Sequence, residues 1–254
     1  MTDASNTTET RETANTRTAS YLAEPGEVNR VLLLYSGGLD TSVMLKWIQD
    51  EYDAEVVALT INLGQPGEDY DVVRGKAEQL GAVAAEVVDA REEFANEYVV
   101  PAIKANAIYG LAYPLFTALG RPLIAKLAVE AARRHGCDTI AHGCTGKGND
   151  QVRIEATIAT LAPELKVIAP VRGWQMGREE EIEYARKNGI PIKGGAEQTP
   201  YSIDDNLWGR SSEGRLIEDL AHGPDDDVYQ LVTPHEEAPD EAEIVEVEFE
   251  RGVP

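Results

Sequence analysis

Val31-Leu32-Leu33-Leu34-Tyr35-Ser36-Gly37-Gly38-Leu39-Asp40-Thr41-Ser42-Val43-Met44-Leu45-Lys46-Trp47-Ile48 is the stretch on which the fold turns. Val31–Tyr35 is an apolar run of strand length, and Met44, Trp47 and Ile48 then recur at helical spacing. The segment between them is a glycine-rich turn leading into a helix. Gly37 and Gly38 permit backbone angles that a side chain forbids and let a ligand come close to the main chain. The unpaired N–H groups of a first helical turn, with the helix dipole, favour an anion. Ser36, Thr41 and Ser42 add hydroxyl donors. Asp40 adds a carboxylate that repels phosphate unless a cation lies between them, so a phosphate chain with Mg²⁺ suits the whole set. The plainer alternative is a strand-to-helix turn in which Thr41 or Asp40 only caps the helix.

Gly-Lys-Ser/Thr does not follow at the spacing of a Walker A loop. Ser-Gly-Gly-x-Asp-x-Ser instead resembles the pyrophosphate loop of the N-type ATP pyrophosphatases, which cleave ATP between its α- and β-phosphates and leave AMP on a substrate.

Outward from this loop the chain alternates strands and helices. Strands are expected at Glu55–Asn62, Val83–Val88, Asp138–Ala141 and Lys166–Ala169. Helices are expected at Asp69–Leu80 (ended by Gly81), at Arg91–Ala107 (kinked or divided by Pro101), at Arg121–His135 (stopped by Gly136), at Asp150–Leu161 and at Arg178–Lys187. This alternation predicts an α/β fold, a doubly wound parallel sheet covered on both faces. The first strand should be central and ligands should bind at the carboxyl ends of the strands. Residues 28–195 form this domain. Residues 1–27, polar and rich in Thr, read as a disordered tail. From 196 a second, α+β domain begins, with strands expected at Val228–Thr233 and Glu243–Glu250. The sequence stops directly after that last strand, which reads as a cut within the domain.

The 254 residues carry 23 Lys+Arg against 45 Asp+Glu, a net charge of −22. That balance argues against nucleic acid as a partner, which calls for a basic patch. It also suits a surface adapted to high salt; thirteen acids and no Lys or Arg lie between Glu218 and Glu250. No apolar run has the length of a transmembrane helix and the N-terminus lacks a secretory h-region, so a cytoplasmic protein is expected. His135-Gly136-Cys137 and His142-Gly143-Cys144 repeat a His-x-Cys pattern, but the spacing is unusual for zinc and no metal site is assigned.

The second informative string is His142-Gly143-Cys144-Thr145-Gly146-Lys147-Gly148-Asn149-Asp150-Gln151-Val152-Arg153, another glycine-rich strand-to-helix turn. Its backbone can hold a second anion. Asn149, Asp150 and Arg153 share a helical face and offer an amide, a carboxylate and a guanidinium, which suits a zwitterionic amino acid. Capping by Asn149 or Asp150 with a surface ion pair would account for any one of these residues, but not for the whole string.

Ser36–Ser42, Asn62-Leu63-Gly64-Gln65, Arg121-Pro122-Leu123-Ile124-Ala125, His142–Arg153, Lys166–Pro170 and Tyr201–Trp208 together resemble the argininosuccinate synthase family, in the family's order and over about residues 29–254. The resemblance implies an adenine nucleotide α-hydrolase-like, Rossmann-like fold and a ligase that condenses citrulline with aspartate through a citrullyl-adenylate, releasing AMP and pyrophosphate in arginine biosynthesis. It implies that ATP, with Mg²⁺, is held by Tyr35, Ser36, Gly37, Gly38, Leu39, Asp40, Thr41, Ser42 and Gly143, with Asp40 and Ser42 nearest the chemistry. Citrulline falls to Tyr113, Asn149, Arg153, Ser202 and Ser211, and aspartate to Thr145, Asn149 and Asp150. A full-length form is expected to be a homotetramer. The chain departs from the family at Phe116-Thr117-Ala118-Leu119-Gly120, where Ala118 replaces a serine near citrulline. Family members also run well beyond residue 254. Two rivals are a tRNA-modifying ATP pyrophosphatase, for which no basic face is visible, and an inactive nucleotide-binding remnant.

The acid excess generates a prediction. Repulsion among surface carboxylates is screened over a Debye length of ~10 Å at 0.1 M salt and ~3 Å at 1 M. The melting temperature of this chain should therefore rise between 0.1 M and 1 M KCl. A flat or falling value in differential scanning calorimetry contradicts the salt-adapted reading.

Overall fold

The computed structural model describes residues 22–174, 176–191, 201–229 and 231–253. Five parallel strands form the central sheet: β1 (Arg30–Leu34), β2 (Glu55–Asn62), β3 (Ala84–Asp89), β4 (Thr139–Ala141) and β5 (Lys166–Ile168). Their spatial order is β3-β2-β1-β4-β5, with β1 in the middle as expected. The chain winds outward from β1 to β3, then crosses back to place β4 on the other side of β1. The gap between β1 and β4 is thus the topological switch point, where ligands bind in open α/β sheets.

Strand periodicity divides the core in two. Leu32 of β1 with Val57, Leu59 and Ile61 of β2 face one layer, where they meet Leu123, Leu127 and Ala128 of helix α5 and Ile154 and Ile158 of α6. Val31 and Leu33 with Val56 and Ala58 face the other, against Val43, Met44, Leu45 and Ile48 of α1, Val73 of α2 and Ala185 of α8. Helix α1 spans Leu39–Tyr52, α2 Tyr70–Gln79, α5 Phe116–His135, α6 Asp150–Leu161 and α8 Arg178–Lys187. α5 ends where the sequence places its stop. Gly136 adopts φ +66° and donates its N–H to the carbonyls of Ala132 and Arg133, the left-handed cap that glycine makes at little cost.

Two helices differ from expectation. The expected helix Arg91–Ala107 is three contiguous pieces: α3 (Arg91–Glu93), a π-helical turn (Phe94–Val99) and α4 (Val100–Lys104). Pro101, in the first turn of α4, has no N–H to return to the turn before it, and the ladder there widens by one residue. α5 begins at Phe116, five residues before the expected Arg121, and carries Pro122 in its interior. The Tyr113 hydroxyl accepts from the Thr117 N–H and supports that early start.

After the sheet domain the expectation needs correction. Val228–Thr233 is not a strand over the residues described there: Asp226–Val228 is a 3₁₀ turn. Glu243–Glu250 alternates apolar and acidic residues, yet its described pairing is a single bridge from Glu250 to Val253. Val245, Val247 and Phe249, on the face the alternation creates, are all exposed. The strands lie earlier, at β6 (Ser202–Asn206) and β7 (Gly209–Glu213), an antiparallel hairpin. It docks on the sheet domain through the Leu207 N–H to the Leu63 carbonyl (2.8 Å), Trp208 Nε1 to the Pro114 carbonyl (2.8 Å) and Asn206 Nδ2 to the Phe116 carbonyl (2.8 Å). A Cβ on Gly209 would lie 2.5 Å from the Phe116 ring, so only glycine lets the hairpin sit this close.

Of the expected tail, residues 1–21 lie outside the described residues, as do Gly194-Gly195 and Thr199-Pro200. Leu22 bridges to Val167, and the Ala23 N–H bonds the Val167 carbonyl at 3.0 Å, so the chain runs along the β5 edge before entering β1.

Candidate functional site at the switch point

The first loop leaves β1 at Tyr35. Every polar group of that residue is engaged: its N–H meets the Leu59 carbonyl, its carbonyl accepts from Thr60 Oγ1, and its phenol shares a hydrogen bond with Ser42 Oγ at 3.1 Å. Burial pushes the Tyr35 phenol above its ordinary pKa, with the Ser42 bond opposing. Tyr35 is therefore the anchor from which the loop springs. Gly37 follows at φ +76°, with Val73 of α2 close beneath it and Lys76 Nζ on its carbonyl at 2.9 Å.

Gly38 is the N-cap of α1 and brings no capping side chain. The first turn of α1 therefore opens without a capping side chain at Gly38, an arrangement that favours anions. Ser36 and Thr41 face each other, Oγ to Oγ1 at 3.1 Å, with Ser36 exposed beside the helix end. Asp40 is exposed in the first turn of α1. Ser42 differs from the other hydroxyls: it is fully buried and donates to the Gly38 carbonyl at 2.6 Å. Its oxygen braces the turn from inside.

The second loop leaves β4 at His142. Gly143 lies against α1, where a Cβ would stand 2.6 Å from Met44 Cε, so the second loop packs at its root on the helix that the first loop opens. Thr145 and Asn149 are exposed on the loop that follows. Asn149 caps α6 without a side-chain bond, leaving its amide available. Asp150 is held by two guanidinium groups: Oδ2 accepts from Arg121 Nε at 2.8 Å and Oδ1 from Arg153 Nη1 at 2.9 Å. Each oxygen keeps a further acceptor direction for an ammonium group.

Arg121 is the residue that sequence reasoning quoted without giving it a role. From α5 it reaches Asp150 on α6 and Asp204 on β6 at once. Burial alone would lower its pKa, but the Asp204 and Asp150 charges outweigh that and hold it above its ordinary value. Asp204 is cross-strand partner to Ser211, so the two side chains share one face of the hairpin. Asp150, Arg153, Arg121, Asp204 and Ser211 thus fall in one arrangement. Ser202 lies two residues before Asp204 on the same face and is exposed. Tyr113 stands at the start of α5, its hydroxyl 2.9 Å from Thr117 Oγ1 and its ring edge-on to Phe116. Ala118 is buried in the first turn of α5. A sequence separation of 29 or 83 residues between charge partners leaves no local signal, which is why Arg121 escaped notice.

The doubled His-x-Cys strings have other partners. His135 Nε2 lies 2.8 Å from Glu86 and His142 Nε2 3.0 Å from Glu155. Burial pushes the Cys144 and Cys137 thiols up to about 11, so neither is a thiolate nucleophile near neutral pH. Among the described residues no helix is long and apolar enough to cross a membrane.

Two family models match the chain: the arginosuccinate synthase N-terminal HUP domain over residues 30–191, and the arginosuccinate synthase C-terminal domain over residues 201–254. The argininosuccinate synthase of Rubrobacter xylanophilus is 61% identical over 225 residues, which is 89% of this chain and 54% of that protein. That of Chlorobium phaeobacteroides is 52% identical over 226 residues, 89% of this chain and 56% of that protein. The chain spans about half the length of the curated relatives it matches. Among solved structures, the U34-tRNA thiolase of Methanococcus maripaludis aligns at a TM-score of 0.44 and 18% identity, covering 68% of this chain and 60% of that one, too distant to carry an argument.

Gly37 supplies a direct test of the first loop. A methyl group there meets Val73 at 3.0 Å and forces a non-glycine residue to φ +76°, a strain of about 1–2 kcal/mol. Gly37→Ala should lower unfolding stability by about that amount and weaken ATP binding at least tenfold in calorimetric titration. Unchanged ATP affinity would show that the loop conformation is not what binds the phosphates.

Proposed function

Because the chain belongs to the argininosuccinate synthase family, we propose that it carries the ATP site and most of the amino-acid site of a C–N ligase joining citrulline to aspartate. The observation that carries this reading is the pairing of the two glycine loops. Ser36–Ser42 and Gly143–Asn149 leave neighbouring strands β1 and β4 at the switch point, and Gly143 packs on Met44 of α1, the helix that the first loop opens.

In this proposal the first turn of α1, with Ser36 and Thr41, takes the phosphate chain of ATP as a pyrophosphate loop. Gly143 closes on the nucleotide, while Tyr35 and Ser42 keep the turn in shape. Asp40 fits a divalent cation: it is an exposed carboxylate in the first turn of α1, and Mg²⁺ is commonly held by one or two carboxylates together with substrate phosphates. When bound, Mg²⁺ supplies neutralisation of phosphate charge. Arg153 offers a fork to an amino-acid carboxylate and Asp150 its free acceptor directions to an ammonium group. Thr145 and Asn149 complete the aspartate side; Tyr113, Ser202 and Ser211 complete the citrulline side.

The chemistry then asks little of acid–base groups. The ureido oxygen of citrulline is a weak nucleophile, so alignment with the α-phosphorus contributes more than deprotonation. The loop stabilises the departing pyrophosphate through donors already in place. The aspartate amine then displaces AMP from the activated carbon. Residues 28–195 act as the nucleotide-binding domain and 196–254 as the beginning of the synthetase and multimerisation domain. A homotetramer, a cytoplasmic setting and a salt-adapted acidic surface belong to the same reading.

Asp40→Asn tests the cation assignment. It should abolish the gain in ATP affinity that Mg²⁺ confers. Titrations with and without Mg²⁺ decide it: an undiminished Mg²⁺ dependence in the variant removes Asp40 from that role.

A further inference from the structure

Behind the second loop lies a chain of polar side chains that begins and ends on the loop itself. His142 is 1% exposed at the end of β4. Its Nδ1 accepts the Cys144 N–H at 3.2 Å, which places the imidazole proton on Nε2. Nε2 then donates to Glu155 Oε1 on α6 at 3.0 Å. The same oxygen receives Arg172 Nη1 at 2.8 Å from the short helix α7 (Pro170–Gly173), which follows β5. Arg172 Nη1 also lies 2.8 Å from Gln151 Oε1. This fixes the Gln151 amide, whose Nε2 donates to the carbonyls of Gly146 at 2.9 Å and Gly148 at 3.3 Å.

The consequence follows from peptide planarity. In a trans peptide the C=O and the next N–H point in opposite directions. Drawing the Gly146 and Gly148 carbonyls toward Gln151 therefore turns the N–H groups of Lys147 and Asn149 the other way, out of the loop. Two glycine peptides, free to rotate in an exposed turn, are thereby held in one orientation before any ligand arrives. The entropy of ordering them is met in folding rather than in binding. Gln151 is half-buried and Arg172 exposed, while Glu155 and His142 are buried polar groups that this network engages.

We propose that Gln151 and Arg172, aligned through Glu155 and His142, are positioning residues that set the backbone of residues 145–149 for substrate. This rests on the assignment of that loop to ATP and aspartate made above. The network also ties β4, β5 and α6 to one loop geometry, so the site is shaped from behind by residues that touch no substrate.

The test compares the unmodified chain with Gln151→Ala, Arg172→Met and Arg172→Lys. Amide hydrogen exchange of residues 144–150 is followed without ligand, and Mg·ATP affinity is measured by calorimetry. Gln151→Ala and Arg172→Met should accelerate exchange in that segment about tenfold and weaken ATP binding about tenfold, with the melting temperature moving by no more than about 3 °C. Arg172→Lys, which keeps the charge but loses the fork, should fall between. Unchanged exchange in both truncated variants overturns the proposal. So does faster exchange with unaltered ATP affinity, which would make the network a structural brace only. If the unmodified chain binds no ATP, the nucleotide assignment fails instead, and exchange alone then decides whether the network orders the loop.

Discussion

The pairing of Leu33 with Ala141 at the centre of the sheet determines where both glycine loops emerge. β1 and β4 run parallel and end at nearly the same level, so the chain turns out of the sheet at Tyr35 and at His142 side by side. Strands lie ~4.8 Å apart, and loops that leave neighbouring strands at one level are forced into contact. Met44 of α1 meets Gly143 there, so a Cβ on Gly143 would have to displace the Met44 methyl, 2.6 Å away. Had β4 joined the far edge beyond β3, the two glycine loops would lie apart. The crossover from β3 through α5 is what brings β4 back beside β1.

Charge is arranged around the same gap. A chain with a net charge of −22 would be expected to repel an anionic substrate. Yet Arg121, Arg153 and Arg172 all stand around the second loop, each held by a carboxylate or amide partner. Their pairing fixes the direction of each guanidinium before substrate arrives, which suits bidentate recognition better than mobile lysines would. Arg121 does more than orient: by reaching Asp150 and Asp204 together it ties the β6–β7 hairpin to the sheet domain. That tie and the Trp208–Pro114 bond help hold the hairpin, with Ser202 and Ser211 on it, against the sheet domain.

Where local pattern and tertiary packing agree, the sequence could be read directly. Glu55–Asn62, Asp150–Leu161 and Arg178–Lys187 have the bounds expected from the sequence: Ile154, Ile158 and Leu161 recur at helical spacing, and Glu55–Asn62 is a near-continuous apolar run buried on both faces. The central position of β1 was legible for a related reason: its run is apolar on both faces, as a strand covered on both sides must be. The hairpin was not legible. Ser-Ile-Asp-Asp-Asn and Gly-Arg-Ser-Ser-Glu show little alternation, and its register comes from bonds to Leu63, Pro114 and Phe116, distant in sequence. Conversely Glu243–Glu250 has the alternation of a strand but no neighbour among the described residues to complete it. The loops were found by their glycines, whereas Arg121, Gln151, Glu155 and Arg172 were not, because their roles lie in contacts that spacing along the chain does not encode.

The central claim is that the two loops make one nucleotide site. Amide hydrogen exchange of this chain with and without Mg·ATP tests it most directly. The account predicts that ATP slows exchange together in residues 37–42 and 143–146, with a single concentration dependence. Protection confined to one loop, or midpoints that differ between the loops, would contradict it.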